Sequence, residues 1–323
     1  MINVYKYTEA KRMRIIVLDG FAANPGDIRW DELKALGDVT VYDRTPENEI
    51  LSRAEGAEAI LTNKCPLRAE TIQKLPSLQY IGVLATGYNI VDTAFAKERG
   101  IVVTNIPAYS TESVAQHVFA LILEIAVHAG AHSAACLSGK WASSRDFCFW
   151  DYPLTEICGK TLGIIGYGAI GKRVGAIAEA FGLRVIPYSP SMGKSENLDR
   201  IIEESDIISL NCPIKADNAG MIRKKTIARM KTGVWIVNTA RGGLVVESDV
   251  AEALRSGKIG AFAADVVAHE PINADSPLLS APNVILTPHI AWAPYEARVR
   301  LMNIAVQNLR SFMDGNVIHQ VNA

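Results

Sequence analysis

The sequence predicts an α/β protein with two doubly wound parallel-sheet domains, and three observations predict it. Short apolar runs bounded by turn residues alternate with helix-like stretches. The alternation runs through two separate series. The chain, at 323 residues, exceeds the usual size of one compact core. Two lobes of this kind lead to the expectation of an active-site cleft between them.

The first series is RIIVLDG, VTVYD, AEAILTN, LQYIGVL and GIVVTNIP. Each reads as a short buried strand, because strands of a parallel sheet are covered on both faces and so are apolar nearly throughout. The second series is TLGIIG, RVIPYS, DIISLNCP, VWIVNTA, AFAADV and VILTPHI, separated by helical patterns such as IGKRVGAIAEAFG and ESDVAEALRSG. Between the two lies Ser110 to Ala129, STESVAQHVFALILEIAVHA, with Ser/Thr at its start and Glu112 in its first turn. That pattern predicts one long buried helix bridging the lobes. From about Trp292 a helix is predicted again, ARVRLMNIAVQNLRSFMDG, stopping at Gly315 as its C-cap and returning to the first lobe. The domains are therefore expected at 13–109 plus 291–323, discontinuous, and at 110–290. Residues 1–12 show no apolar period and read as an N-terminal extension, with Met13 as a natural start.

Composition narrows the function. Hydrophobic residues make up 49% and charged residues 21%, an ordinary globular balance. With 33 Lys+Arg against 34 Asp+Glu the formal net charge is -1, so no basic field exists to hold nucleic acid or an anionic membrane surface. The sequence offers neither an uninterrupted apolar stretch of about 18 residues nor, in MINVYKYTEAKRMR, the apolar core of a secretory signal, so a cytoplasmic location is expected. Cys65, Cys136, Cys148, Cys158 and Cys212 are odd in number and scattered without a C-x-x-C pair. They read as reduced, buried or half-buried structural thiols, with no metal site. Trp141, Phe147, Phe149, Trp150 and Trp292 read first as core aromatics, with a pocket or a partner's rim as the other reading.

The chemistry begins at Gly166-Tyr167-Gly168-Ala169-Ile170-Gly171, a G-x-G-x-x-G that follows a strand and opens a helix. Gly166 permits the tight turn, Gly168 leaves room for a pyrophosphate, and Gly171 lets helix and strand pack closely, while the helix N-terminus favours the anion. A nicotinamide dinucleotide is the expected cofactor. The next strand should end in an acidic residue that binds the ribose hydroxyls of NAD, yet Ser189 stands there. Without that carboxylate nothing repels a 2′-phosphate, and Lys194 just beyond could attract one. NAD and NADP both stay open.

Three polar residues fall at or beyond the ends of late strands: Arg241 in NTARGG, Glu270 in DVVAHEP and His289 in LTPHIAW. Side chains at those carboxyl ends face the ligand crevice of an open α/β sheet. Reduction of a 2-keto acid needs a cation for the carboxylate and the polarised carbonyl, and a proton donor for the oxygen. A guanidinium and an imidazole are the right groups, and a carboxylate beside the imidazole orients it and stabilises its charged form.

These stretches resemble the D-isomer-specific 2-hydroxyacid dehydrogenases, in their glycerate dehydrogenase (hydroxypyruvate reductase) branch. The resemblance runs over nearly the whole chain from Met13 and is most specific in VLATGYNIVD, NIPAYSTESVAQH, GKTLGIIGYGAIGKRVG, NTARGGLV and TPHIAW. It implies a flavodoxin-like substrate domain and a Rossmann cofactor domain, with Arg241, Glu270 and His289 as the catalytic trio. It further implies that Asp265 holds the nicotinamide carboxamide. Cofactor contacts are implied at Ala169, Ile170, Ser189, Cys212, Pro213, Thr239 and Ala240. The loop Ala85 to Asn89, with Thr86 and Gly87, is implied to present N–H groups to the substrate carboxylate, beside Asn63 and Lys64. A homodimer through the cofactor domain is also implied. The implied reaction converts hydroxypyruvate or glyoxylate to D-glycerate or glycolate; which small acid is used, the residues leave open. A different class stays open as well: an NAD(H)-sensing, corepressor-like binding protein on the same fold.

Overall fold

The computed structural model describes residues 12–192 and 196–323; Lys194 and most of the expected N-terminal extension lie outside them. The chain forms two compact units, one running to Tyr109 and resumed at Ala293–Ala323, the other Ser110–Trp292.

The first unit holds β1 Arg14–Val17, β2 Asp38–Val41, β3 Ala59–Thr62, β4 Tyr80–Val83 and β5 Val102–Thr104. They pair in the order β2-β1-β3-β4-β5, every pair parallel. The register sets Ile16 beside Ile60, and Ile60 beside Ile81. These side chains are fully buried, because helices cover both faces of a parallel sheet. The order reverses between β1 and β3, and ligands of open α/β sheets bind outside the strand ends at such a point.

The second unit holds β6 Thr161–Ile165, β7 Arg184–Tyr188, β8 Ile207–Leu210, β9 Val234–Asn238, β10 Ile259–Ala264 and β11 Val284–Leu286. Their order is β11-β10-β9-β8-β6-β7, again parallel. The reversal here falls between β6 and β8, and the glycine-rich run starts immediately past the carboxyl end of β6. All eleven apolar runs read from the sequence are therefore strands. Among the described residues, the β7 side has one strand fewer than the symmetric six-stranded dinucleotide-binding order.

The predicted long helix is Thr111–Val127, with Val118, Ile122 and Ala126 buried; it packs on the helix Ala169–Ala180 and on β9 and β10. It stops where His128 turns left-handed, at φ 49. A second helix, Ala129–Leu137, leaves at 60°, a break the apolar pattern did not reveal. No single helix among the described residues is long and apolar enough to cross a membrane.

The tail helix is Tyr295–Met313 and ends with Gly315 at φ 72, the left-handed position for which glycine carries no Cβ penalty. It belongs to the first unit: Phe312 lies on Tyr80 with ring centroids 5.0 Å apart, and the Asn308 amide donates to Asn105 O at 2.9 Å. Beyond it, Val321 N donates to Val103 O and Gln320 bridges Thr104 antiparallel, so the chain end covers the β5 edge.

Two expectations about burial are corrected. Trp141, Phe147 and Trp150 are not core aromatics, being 55%, 90% and 65% exposed. Cys148 and Cys158 are exposed, whereas Cys65 is buried and Cys136 and Cys212 half-buried. The segment 138–156 contains neither strand nor α-helix, so it has no regular face to turn inward.

Candidate functional site

The glycine-rich turn is locked from two sides. Gly166 sits at φ +100, and a Cβ on it would lie 2.5 Å from the backbone of Asn211 and Cys212 at the end of β8. Its N–H and that of Tyr167 donate to Tyr188 O at the end of β7. A Cβ on Gly171 would stand 2.1 Å from Gly166 O, whereas one on Gly168 would meet nothing within 4 Å. Two glycines are thus required by packing. The third, at the N-cap of the helix Ala169–Ala180, borders open space, as a cradle for a phosphate does. The N–H groups of Ala169, Ile170 and Gly171 in that first turn have no partner within the helix, and the helix dipole favours an anion there.

Two buried oxygens at the neighbouring ends of β9 and β8 also lack a partner among the described residues. Thr239 Oγ1, just past β9, and Asn211 Oδ1, just past β8, have no hydrogen bond among the described residues. A buried polar atom without a partner costs about 1–3 kcal/mol, and a polar ligand at these neighbouring strand ends relieves that cost. The residues present therefore fit a dinucleotide. Pro213 O receives the Asn218 amide at 2.9 Å, Cys212 is half-buried with its thiol pushed up by burial, and Ala240 is 8% exposed. Ser189 lies just past β7 with its hydroxyl 3.1 Å from that of Ser191; no carboxylate occurs between Pro187 and Met192.

His289 and Glu270 come together: Nδ1 of the imidazole lies 2.6 Å from Glu270 Oε2, both side chains about one-third exposed. Nε2 of His289 has no partner among the described residues. Arg241 follows β9 in a turn built by the fully buried Asn238, whose amide donates to Arg241 O and whose carbonyl accepts Ala240 N. A Cβ on Gly242 would fall 1.9 Å from the Val267 backbone. This close approach sets the Arg241 turn against the segment that leads to Glu270.

Asp265, expected to hold the nicotinamide carboxamide, is engaged here in bonds to the loop of His289. The residue is 2% exposed; its Oδ1 accepts Thr287 Oγ1 at 2.6 Å and Ile290 N at 2.8 Å, and its Oδ2 accepts Ala291 N at 2.8 Å. Those bonds hold the loop around His289, which itself sits at φ 56. A non-glycine residue there costs about 1–2 kcal/mol, so the loop must be over-determined to keep it.

In the first unit, Lys64 and the Thr86-Gly87 pair lie just past the carboxyl ends of the paired strands β3 and β4. Asp19, just past β1, accepts the N–H groups of Asn63, Lys64 and Cys65 at 2.7, 2.5 and 3.0 Å. The Asn63 amide reaches Leu84 O. Thr86 Oγ1 donates to Ile106 O and Thr86 O accepts the Asn105 amide. Sequence reasoning missed Asp19, although it stands at a strand's carboxyl end in LDG. It also gave no role to Thr287 and His117, although both fall in stretches quoted above, TPHIAW and NIPAYSTESVAQH.

Residues 119–291 match the family described as D-isomer specific 2-hydroxyacid dehydrogenase, NAD binding domain. The chain is 50% identical over 322 residues to a hydroxypyruvate reductase of Blautia hydrogenotrophica, covering 96% of this chain and 100% of that protein. It is 42% identical over 283 residues to a glycerate dehydrogenase of Methylorubrum extorquens, covering 86% and 90%. Among solved structures it superposes on an NADPH-dependent glyoxylate/hydroxypyruvate reductase from Sinorhizobium meliloti, in complex with NADP and malonate. That match has a TM-score of 0.81 at 27% identity, covering 96% of this chain and 97% of the other. With a glycine-rich turn shaped for a dinucleotide, a paired histidine and glutamate, and these relatives, the chain belongs to the D-isomer-specific 2-hydroxyacid dehydrogenases.

Proposed function

We propose that the chain reduces a small, unphosphorylated 2-keto acid, hydroxypyruvate or glyoxylate, to D-glycerate or glycolate. The observation that carries this reading is the 2.6 Å pair of His289 Nδ1 and Glu270, with no partner for Nε2 of the imidazole among the described residues. A histidine oriented in this way gives its Nε2 proton to the alcohol oxygen being formed, and the carboxylate steadies the charged ring beforehand. Arg241 binds the substrate carboxylate and polarises the carbonyl. Lys64, Thr86 and Gly87, past strand ends of the first unit, offer an ammonium and N–H donors of the kind a carboxylate needs. The nicotinamide, when bound, supplies the hydride. Gly166, Gly168, Ala169, Ile170 and Gly171 hold its pyrophosphate, and Cys212, Pro213, Thr239 and Ala240 border it. The names of the two relatives above support the substrate class.

The cofactor site accepts both NADH and NADPH in this reading. With Ser189 and Ser191 at the end of β7 and no carboxylate there, the 2′-phosphate meets hydroxyl groups instead of like charge. A homodimer is proposed through the cofactor unit, supported by Leu137, Trp141, Phe147, Trp150 and Leu154, all more than half exposed; apolar surface gathered in this way marks an interface. Five unpaired cysteines support work in a reducing, cytoplasmic compartment. The nucleotide-sensing reading draws no support from the relatives reported above, which are named as reductases and a dehydrogenase.

The test follows absorbance at 340 nm with hydroxypyruvate or glyoxylate and either cofactor, for the wild type and for Arg241→Ala and His289→Ala. Turnover by the wild type and its loss in both variants is the expected result. Binding of cofactor without turnover of any keto acid in a panel overturns the proposal.

A further inference from the structure

The helix Thr111–Val127 sends one polar side chain into the network that shapes the histidine loop. His117 Nε2 lies 2.9 Å from Thr287 Oγ1 and 3.5 Å from Asp265 Oδ1. The His117 side chain is 18% exposed and that of Asp265 1%. The direction of each bond follows from valence. The Asp265 carboxylate only accepts, so the single hydroxyl proton of Thr287 is spent on Oδ1 at 2.6 Å. His117 Nε2 must then carry a proton and donate to the remaining lone pairs of Thr287 Oγ1. The result is a directed chain, His117 to Thr287 to Asp265, whose last member also receives the N–H groups of Ile290 and Ala291.

This chain brackets His289. Thr287 lies two residues before it and accepts its N–H through the backbone carbonyl at 3.0 Å, while Ile290 and Ala291 follow directly. The backbone at His289 is left-handed, φ 56, a conformation that persists only where its surroundings force it. Donation from His117 polarises the Thr287 hydroxyl and fixes its rotamer, which strengthens its bond to the carboxylate.

We infer that His117 is a positioning residue for the reaction: it holds, through Thr287 and Asp265, the loop conformation that aims His289. The inference rests on His289 being the proton donor proposed above. His117 itself touches neither substrate nor cofactor in this role. Its loss is therefore expected to lower kcat and to leave KM for the keto acid and cofactor affinity within about twofold. Misplacement of a reacting group by about 1 Å costs on the order of 100-fold, and a partial loosening of the loop is expected to cost about 10-fold.

The experiment compares His117→Leu, His117→Gln, Thr287→Val and the double variant His117→Leu/Thr287→Val with the wild type and His289→Ala. The glutamine amide nitrogen falls near the position of Nε2, so His117→Gln restores the donor. The expected result is a fall in kcat of about 10-fold in His117→Leu and Thr287→Val, no further fall in the double variant, and recovery in His117→Gln. The inference is overturned if His117→Leu turns over like the wild type, if glutamine is no better than leucine, or if the losses multiply in the double variant. It is also overturned if the loss equals the fraction of protein unfolded in a thermal melt. Should His117→Leu fail to fold, Thr287→Val, which keeps the β-branched shape, carries the same kcat test. Failure of the parent reading looks different: the wild type would reduce no keto acid, or His289→Ala would retain full activity.

Discussion

Gly168→Ala is expected to leave the fold intact and to weaken dinucleotide binding about 100-fold. A Cβ at this position meets no atom within 4 Å, and the backbone, at φ -81 and ψ -156, is extended and open to alanine. Only local effects then act on stability. Replacing glycine at a helix N-cap by alanine costs about 0.5–1 kcal/mol, while the stiffer unfolded chain returns about 0.4–1 kcal/mol. The net change is within ~1 kcal/mol, a shift of a few degrees at most in a domain of this size. For the ligand the new methyl occupies the space through which a pyrophosphate approaches the helix N-terminus. Hydrogen bonds to a charged group contribute about 1.5–3 kcal/mol each, so displacing one or two costs ~3 kcal/mol, roughly 100-fold in Kd. The assay is a thermal melt without cofactor and a titration of NADH fluorescence. Gly171→Ala is the contrast: its Cβ meets Gly166 O at 2.1 Å, backbone against backbone, so the helix must move off the turn and the variant is expected to lose about 3 kcal/mol of stability. A Gly168→Ala protein that binds NADH within threefold of the wild type refutes the reasoning, as does a Gly171→Ala protein that melts like the wild type.

Other predictions test the remaining features. Glu270→Gln removes the negative partner of His289 and is expected to lower kcat by about 10- to 100-fold, within the range that one acid–base group contributes; initial rates equal to those of the wild type would sink the pair as a unit. Burial, reinforced by the nearby Asp19 carboxylate, pushes the Cys65 thiol from 9.0 up to about 11. At pH 7 to 8 its thiolate fraction is then about 100-fold lower than that of an ordinary thiol, so iodoacetamide followed by mass spectrometry is expected to label the exposed Cys148 and Cys158 first and Cys65 only on unfolding. Early labelling of Cys65 counts against its placement. Phe147→Asp, at a side chain 90% exposed, costs an isolated chain almost nothing and is expected to shift a dimer toward monomer in light scattering; an unchanged mass places the interface elsewhere.

Sequence alone determined the two parallel sheets, since a strand buried on both faces must be apolar along its whole length, and that pattern survives without any knowledge of neighbours. It also determined Gly166, Gly168 and Gly171 as a phosphate turn, because the strand before and the helix after are local features. Arg241, Glu270 and His289 were found because each lies at or beyond the end of a strand run. Tertiary structure decided what spacing cannot encode. It divided the three glycines by cause, since whether a Cβ finds Gly166 O or empty space depends on how the helix packs against its strand. It turned Trp141, Phe147 and Trp150 outward, which hydrophobicity by itself cannot foresee in a segment without a period. It also gave Asp265 and His117 to the loop of His289. These residues are 24 and 172 positions from it in sequence, and only the packing of a helix and a strand end on that loop brings their hydrogen bonds into range.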